Sequence, residues 1–75
     1  MKVFVKMLSG EKITLDVNPS DNVERIKQLV ENATTIDASD QRLSFGSVVL
    51  DDSHRLSDYN ISHESTIYLV CQKQN

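Results

Sequence analysis

The 75-residue sequence is poor in almost every residue type that marks a specialised chemistry. It has one cysteine, so no internal disulfide can form, which fits a reducing compartment. It has two glycines, well apart, which excludes a glycine-rich phosphate loop. Its two histidines, His54 and His63, form neither an HxxxH nor a CxxC-type spacing, so no metal site is expected. The eight basic residues are scattered among eleven acidic ones for a net charge of −3, and no basic cluster suggests a nucleic-acid surface. No apolar run approaches the roughly 20 residues of a membrane span, and Lys6 interrupts the early apolar stretch that a signal peptide would need. A chain this short forms one core with a stability of a few to about ten kcal/mol. It rarely encloses a concave catalytic site of several hundred Å3. The expectation is therefore a monomeric, non-enzymatic intracellular domain, cytoplasmic or nuclear, with no cofactor, nucleic acid or membrane as partner.

What is present is periodicity. Residues 1–8 alternate, with Met1, Val3, Val5 and Met7 on one face and Lys2, Phe4, Lys6 and Leu8 on the other. Ser9-Gly10 supplies a turn with a bulge, and residues 12–17 alternate again, with Ile13, Leu15 and Val17 inward. Together they predict an N-terminal β-hairpin. Asn22 is placed to cap a helix, and Val23, Ile26, Val30 and Ala33 form its apolar stripe, with Leu29 on one flank and Lys27 on the other. No glycine follows, so Thr34 or Thr35 must end the helix less comfortably, or Asn32 ends it early. Residues 36–40 read as a polar loop around Ile36, 41–45 as a third strand, and Gly46-Ser47 as a turn into a short strand over 48–50. Residues 51–55 form a charged loop, and Leu56-Ser57-Asp58-Tyr59 suits a single 3₁₀ or α turn. Residues 65–71 are the last strand, with Ile67, Leu69 and Cys71 on the inward phase. One helix covers one face of a four- to five-strand sheet, which defines an α+β roll whose other face meets solvent.

Few side chains invite catalysis. Cys71 would need a neighbouring base and an electropositive setting to act as a nucleophile, and its inward phase predicts a small core residue instead. Asp51, Asp52 and Asp58 lie in a loop and a turn, where carboxylates serve as caps rather than as an acid–base pair. Lys27 stands beside the apolar stripe, where an unpaired ammonium is costly. It either snorkels outward or meets a carboxylate from a loop.

Several runs then align without a gap with a known pattern: Phe4-Val5-Lys6, Ile13-Thr14-Leu15, Pro19-Ser20-Asp21, Gln41-Arg42-Leu43, Leu56-Ser57-Asp58-Tyr59-Asn60-Ile61 and Glu64-Ser65-Thr66. Along its whole length the chain resembles the ubiquitin family. The resemblance implies the β-grasp fold over residues 1–72 with a polar tail at 73–75. It implies a buried Lys27 paired with Asp52, and a Tyr59 that anchors the loop before it. Ser65 matches a position that is phosphorylated in ubiquitin, although a serine opening a strand also serves as an ordinary turn residue.

The departures shape the functional expectation. The sequence ends Gln72-Lys73-Gln74-Asn75, where ubiquitin carries a conjugating diglycine, and Gln72 and Gln74 replace its arginines. Lys6 and Lys27 match chain-linkage lysines, whereas Glu11, Leu29, Ala33, Val48 and His63 replace the others. In the family's recognition patch Leu8 and Val70 match, but Ser44 replaces the central isoleucine and Tyr68 a histidine. Losing that isoleucine removes about 2 kcal/mol or more of contact energy. Arg42 is retained beside it, and Val48 and Val49 replace a Lys-Gln pair, offering a relocated patch with Leu8, Tyr68 and Val70. The resemblance thus implies a non-conjugated interaction domain, a module of a larger protein that docks to ubiquitin-system receptors, ligases or proteasome subunits. A modifier or fusion unit whose tail is lost or lies elsewhere, and a free-standing mimic that binds ubiquitin enzymes, are the alternatives.

Overall fold

A computed structural model describes residues 1–71; the expected tail at 73–75, and Gln72 before it, lie outside the described residues. Five strands form one mixed sheet: β1 (Lys2–Met7), β2 (Lys12–Asp16), β3 (Gln41–Phe45), β4 (Val48–Val49) and β5 (Thr66–Cys71). Their order across the sheet is β2-β1-β5-β3-β4. The central strands β1 and β5 run parallel, and every other neighbouring pair is antiparallel. A 12-residue helix, α1 (Val23–Thr34), lies in the connection between the hairpin and β3. This is the β-grasp arrangement.

Alternation determines which side of the sheet is wet. Val3 and Val5 of β1, Leu15 of β2, Leu43 of β3 and Ile67 and Leu69 of β5 are buried, and they meet Val23, Ile26 and Val30 of the helix. Each such side chain contributes roughly 1.5–3 kcal/mol when taken fully out of water. In the β1–β2 hairpin, Gly10 adopts φ +97° and donates its N–H to Met7 C=O (3.0 Å), the bulged turn expected from Ser9-Gly10. Gly46 takes φ +64° in the two-residue loop that pairs Phe45 with Val48.

The helix begins as its sequence requires, with Asn22 Oδ1 accepting from Arg25 N–H at 2.9 Å. Its end is the uncomfortable one expected. Thr35 is the cap in a left-handed conformation (φ 66°), and its N–H donates to Glu31 C=O at 2.8 Å. Glu31 also reaches forward, its Oε1 accepting from Ala38 N–H at 3.0 Å. Ala33 was expected on the buried stripe but is exposed, because Val30 is the last helical residue packed into the core and the final turn runs past it.

Three further differences from the sequence expectation have physical causes. Residues 38–40 form a 3₁₀ turn rather than a plain loop, closed by Asp40 N–H donating to Asp37 C=O at 2.9 Å. Cys71, expected in the core, is exposed. Its phase is inward, level with Gln41 across the sheet, but it lies beyond Leu69, the last buried residue of β5. Gln41 is the buried polar residue of this region. Its Nε2 donates to Lys27 C=O (2.9 Å) and Ile36 C=O (3.1 Å), tying β3 to the helix and to the loop after it. Strand ends also retreat by a residue: Leu50 leaves β4 to enter the core, and its N–H donates to Leu43 C=O at 2.9 Å.

The loop from Asp51 to Asn60 is sewn to the start of the helix. Val23 N–H donates to His54 C=O (2.9 Å), Glu24 N–H to Asp52 C=O (3.3 Å) and Leu56 N–H to Asp21 C=O (3.0 Å). Leu56–Tyr59 is the expected 3₁₀ turn, and Leu56 is fully buried beneath it.

Candidate functional site

Because residues opposite one another in a ladder project to the same side, strand register alone assembles the solvent face. Lys6 lies level with Tyr68, Tyr68 with Ser44, Ser44 with Val49, and Arg42 with Val70. These side chains therefore share the face opposite the helix, along with Phe4 and the outward residues of β2. Tyr68 is 48 % exposed and Val49 55 %, while Ser44 and Val70 are half-buried among their neighbours. Leu8, at the tip of the β1–β2 hairpin, is 86 % exposed. Leu8, Tyr68 and Val70 converge on one shallow cleft of about 360 Å3, with Lys6 at its margin.

Val48 does not join them. It is level with Phe45, whose ring packs against the core, so Val48 projects toward the helix side of β4 even though it is exposed. Of the two valines that replace a polar pair, Val49 alone belongs to this face. The apolar area is extended instead by Phe4, over whose ring Lys12 Nζ sits at 4.7 Å from the centroid. Around the edge of the hairpin a second cleft of about 280 Å3 brings Leu8 and Val70 together with Met7 and Ile36. Ile36 was legible as an anchored apolar residue, but its approach to the hairpin tip depends on the loop after the helix and has no local signal.

The charge on this face runs against that of the whole molecule. Lys2, Lys6, Lys12 and Arg42 all occupy outward strand positions, whereas Asp16, level with Lys2, is the sole acidic residue on a strand among the described residues. None of these four cations takes part in an ion pair among the described residues. The remaining acidic side chains lie on the helix and in the turns and loops. An acidic protein thus presents a basic, apolar-centred sheet.

The other singled-out residues lie elsewhere. Lys27 Nζ stands 2.7 Å from Asp52 Oδ1, behind the sheet at the helix, with Lys27 13 % exposed and Asp52 52 %. The Glu24-to-Asp52 backbone bond holds Asp52 within reach, one turn of helix before Lys27. Tyr59 anchors the same loop: its hydroxyl accepts from Asp51 N–H at 2.9 Å, and its ring stacks on His54 with centroids 5.7 Å apart. The Ser53 hydroxyl donates to Asp51 Oδ1 at 2.7 Å and its N–H to the same atom at 2.9 Å, holding that carboxyl below the usual range. Ser65 is half-buried in the turn before β5, and its hydroxyl oxygen accepts from Ser62 N–H at 3.0 Å. Among the described residues no group of three or more His, Cys, Asp or Glu side chains is arranged to hold a metal.

Comparison with known proteins agrees with this architecture. A sequence model of the Ubiquitin family matches residues 3–74. The chain is 40 % identical over 70 residues to the ubiquitin-like protein NEDD8 of Dictyostelium discoideum, covering 93 % of this chain and 91 % of that protein. It is 37 % identical over 70 residues to ubiquitin-like protein 1 of Schizosaccharomyces pombe, covering 93 % and 90 %. Against ubiquitin-like protein 4A of Danio rerio it is 40 % identical over 93 % of its own length but spans 45 % of the relative. The same unit therefore makes up nearly all of some relatives and less than half of another. On its sequence, its strand order and its single packed helix, the chain belongs to the ubiquitin family.

Proposed function

We propose that this ubiquitin-like domain acts as a non-conjugated protein-interaction domain that docks ubiquitin-system receptors, ligases or proteasome subunits on the outer face of its sheet. The observation that carries the reading is the coincidence, on one face, of exposed Leu8, Val49 and Tyr68 with Lys2, Lys6, Lys12 and Arg42 around them. An apolar centre with a charged rim is how interfaces are built, and tyrosine is enriched at their centres because it brings a large rigid area and a polar tip. The rim selects a partner whose contact surface is apolar with acidic flanks, and it speeds encounter at low salt. Ser44 in the middle leaves a shallow seat, so the contact shifts toward Tyr68 and Val49 and away from partners that need a large central aliphatic side chain.

The test is an NMR titration of the full chain with isolated proteasomal or other ubiquitin-receptor domains. Perturbed amides should cluster at Leu8, Val49, Tyr68 and Val70, and Tyr68→Ala should weaken binding by about tenfold or more. Perturbations confined to the helix side, or affinity unchanged in both Tyr68→Ala and Val70→Ala with the fold intact, would refute the reading. The alternative, a conjugated modifier or fusion unit, is supported by relatives of which this unit forms about nine-tenths. It is decided by incubating the native gene product with a ubiquitin-like activating enzyme and ATP: a thioester supports the modifier and counts against the non-conjugated reading.

A further inference from the structure

The turn before β5 is fastened to the start of β1 by a side chain where a strand would use its backbone. Lys2 C=O accepts from Glu64 N–H, and Phe4 N–H donates to Ser65 C=O at 2.9 Å, so β1 pairs toward β5 from its first residues. Lys2 N–H faces the same way but finds no carbonyl. It donates to Nδ1 of His63 at 3.0 Å. That bond requires Nδ1 without a proton and so places the imidazole hydrogen on Nε2, which lies 3.3 Å from Glu64 Oε1. Glu64 holds this geometry in a left-handed conformation, φ 68°, uncommon for a residue with a Cβ.

From this geometry we propose that His63 is a proton-sensitive latch joining β1 to the 62–65 turn. The neutral imidazole closes it. When Nδ1 takes a proton from solvent, an N–H stands against the Lys2 N–H and the hydrogen bond is lost, while the imidazolium gains an ion pair with Glu64 through the Nε2–H already directed at it. One neutral hydrogen bond is lost, the existing Nε2–H contact with Glu64 becomes charged on both sides, and the tie to β1 opens. The charged residues on the elements that meet at His63 are Glu64 on its own turn, Lys2 on β1 and, one strand further, Asp16 level with Lys2 on β2. Asp16 is itself 3.5 Å from the Met1 amino group. The two remaining backbone bonds do not titrate, so opening loosens the turn that carries Ser62 and Ser65 without unpairing β5.

The experiment is a pH series of 15N–1H spectra and amide hydrogen exchange on the full chain, from pH 8 to 5. The Lys2 amide cross-peak should move with the same midpoint as the His63 ring protons. Its protection, corrected for intrinsic exchange, should fall about two- to tenfold, the equivalent of one ordinary hydrogen bond. His63→Gln, which keeps an acceptor but does not titrate, should abolish both changes, and Glu64→Gln should lower the midpoints of His63 and Lys2 together. A Lys2 amide that ignores the His63 titration overturns the latch. So does one that still titrates in His63→Gln, since the signal then comes from Met1, Asp16 or Glu64. His54, remote on the 51–60 loop, reports the same pH series without acting on Lys2.

Discussion

Removing either member of the Lys27–Asp52 pair should have unequal consequences, because the two charges sit in different surroundings. Their contact is short, 2.7 Å, but Lys27 is 13 % exposed and Asp52 52 %. Asp52→Ala strands an ammonium whose stem is packed beside the helix stripe. A fully buried charge left without a partner costs about 3–5 kcal/mol. Lys27 can recover part of that by extending its head toward water, which brings the expected loss to about 1–3 kcal/mol. Lys27→Met leaves the opposite orphan. Asp52 already has half its surface in water and rehydrates, the methionine keeps the apolar stem packed, and an exposed pair contributes at most about 1 kcal/mol. That substitution should therefore lie within about 1 kcal/mol of the parent, on either side. Urea denaturation of the two single variants and the double variant measures this directly, with unchanged m-values showing that the unfolded state is not the cause. The double variant should resemble Lys27→Met alone. If Lys27→Met proves the costlier of the two by 1 kcal/mol or more, Asp52 is less hydrated than its exposure implies and the reasoning fails.

Two further outcomes follow from the helix end and from the 51–60 loop. Thr35→Gly should stabilise the domain: relief of about 1–2 kcal/mol of left-handed strain exceeds the roughly 0.5–1 kcal/mol of added chain entropy. The melting temperature should rise by a few degrees, and Thr35→Ala, which keeps the Cβ, should show no such rise. Ser53→Ala removes the hydroxyl that is the main cause of the lowered Asp51 pKa, so the Asp51 carboxyl should titrate at higher pH in a 13C NMR series. Because that pKa is lowered on folding, the contribution is present above the unfolded carboxylate range, about pH 4, and is lost as pH falls through the folded value. Loss of the Ser53 hydroxyl should narrow this acid-side dependence, and an unmoved Asp51 titration would count against the assignment.

Local pattern carried much of the fold. Period-two alternation over 1–8, 12–17 and 65–71 located three strands to within about a residue at each end, the ordinary fraying of such boundaries. Asn22 announced the helix start, and the want of a glycine near residue 35 announced the strained end that Thr35 shows. The structure departs from that pattern at the margins of the core. Ala33 and Cys71 have the right phase, but phase says only which way a side chain points and not whether anything covers it there. The polar face was read more coarsely. Alternation sent residues of β1 and β5 outward, yet it left open which of Val48 and Val49 shares their face, because the turn at Gly46-Ser47 sets that register.

By itself, then, the sequence determined the elements, their amphipathic faces and the family, since these depend on short-range periodicity and on runs of matching residues. The tertiary structure alone decided the rest. It placed Lys6, Tyr68, Ser44 and Val49 in one row across four strands and gathered the basic side chains on that side of an acidic molecule. It set the unequal burial of the Lys27–Asp52 pair that the family resemblance implied, and it put a histidine side chain where a strand carbonyl would stand. Most of these depend on residues far apart in the chain, where strand pairing and the packing of the helix, loop and turn against the sheet, and not any local preference, determine what meets what.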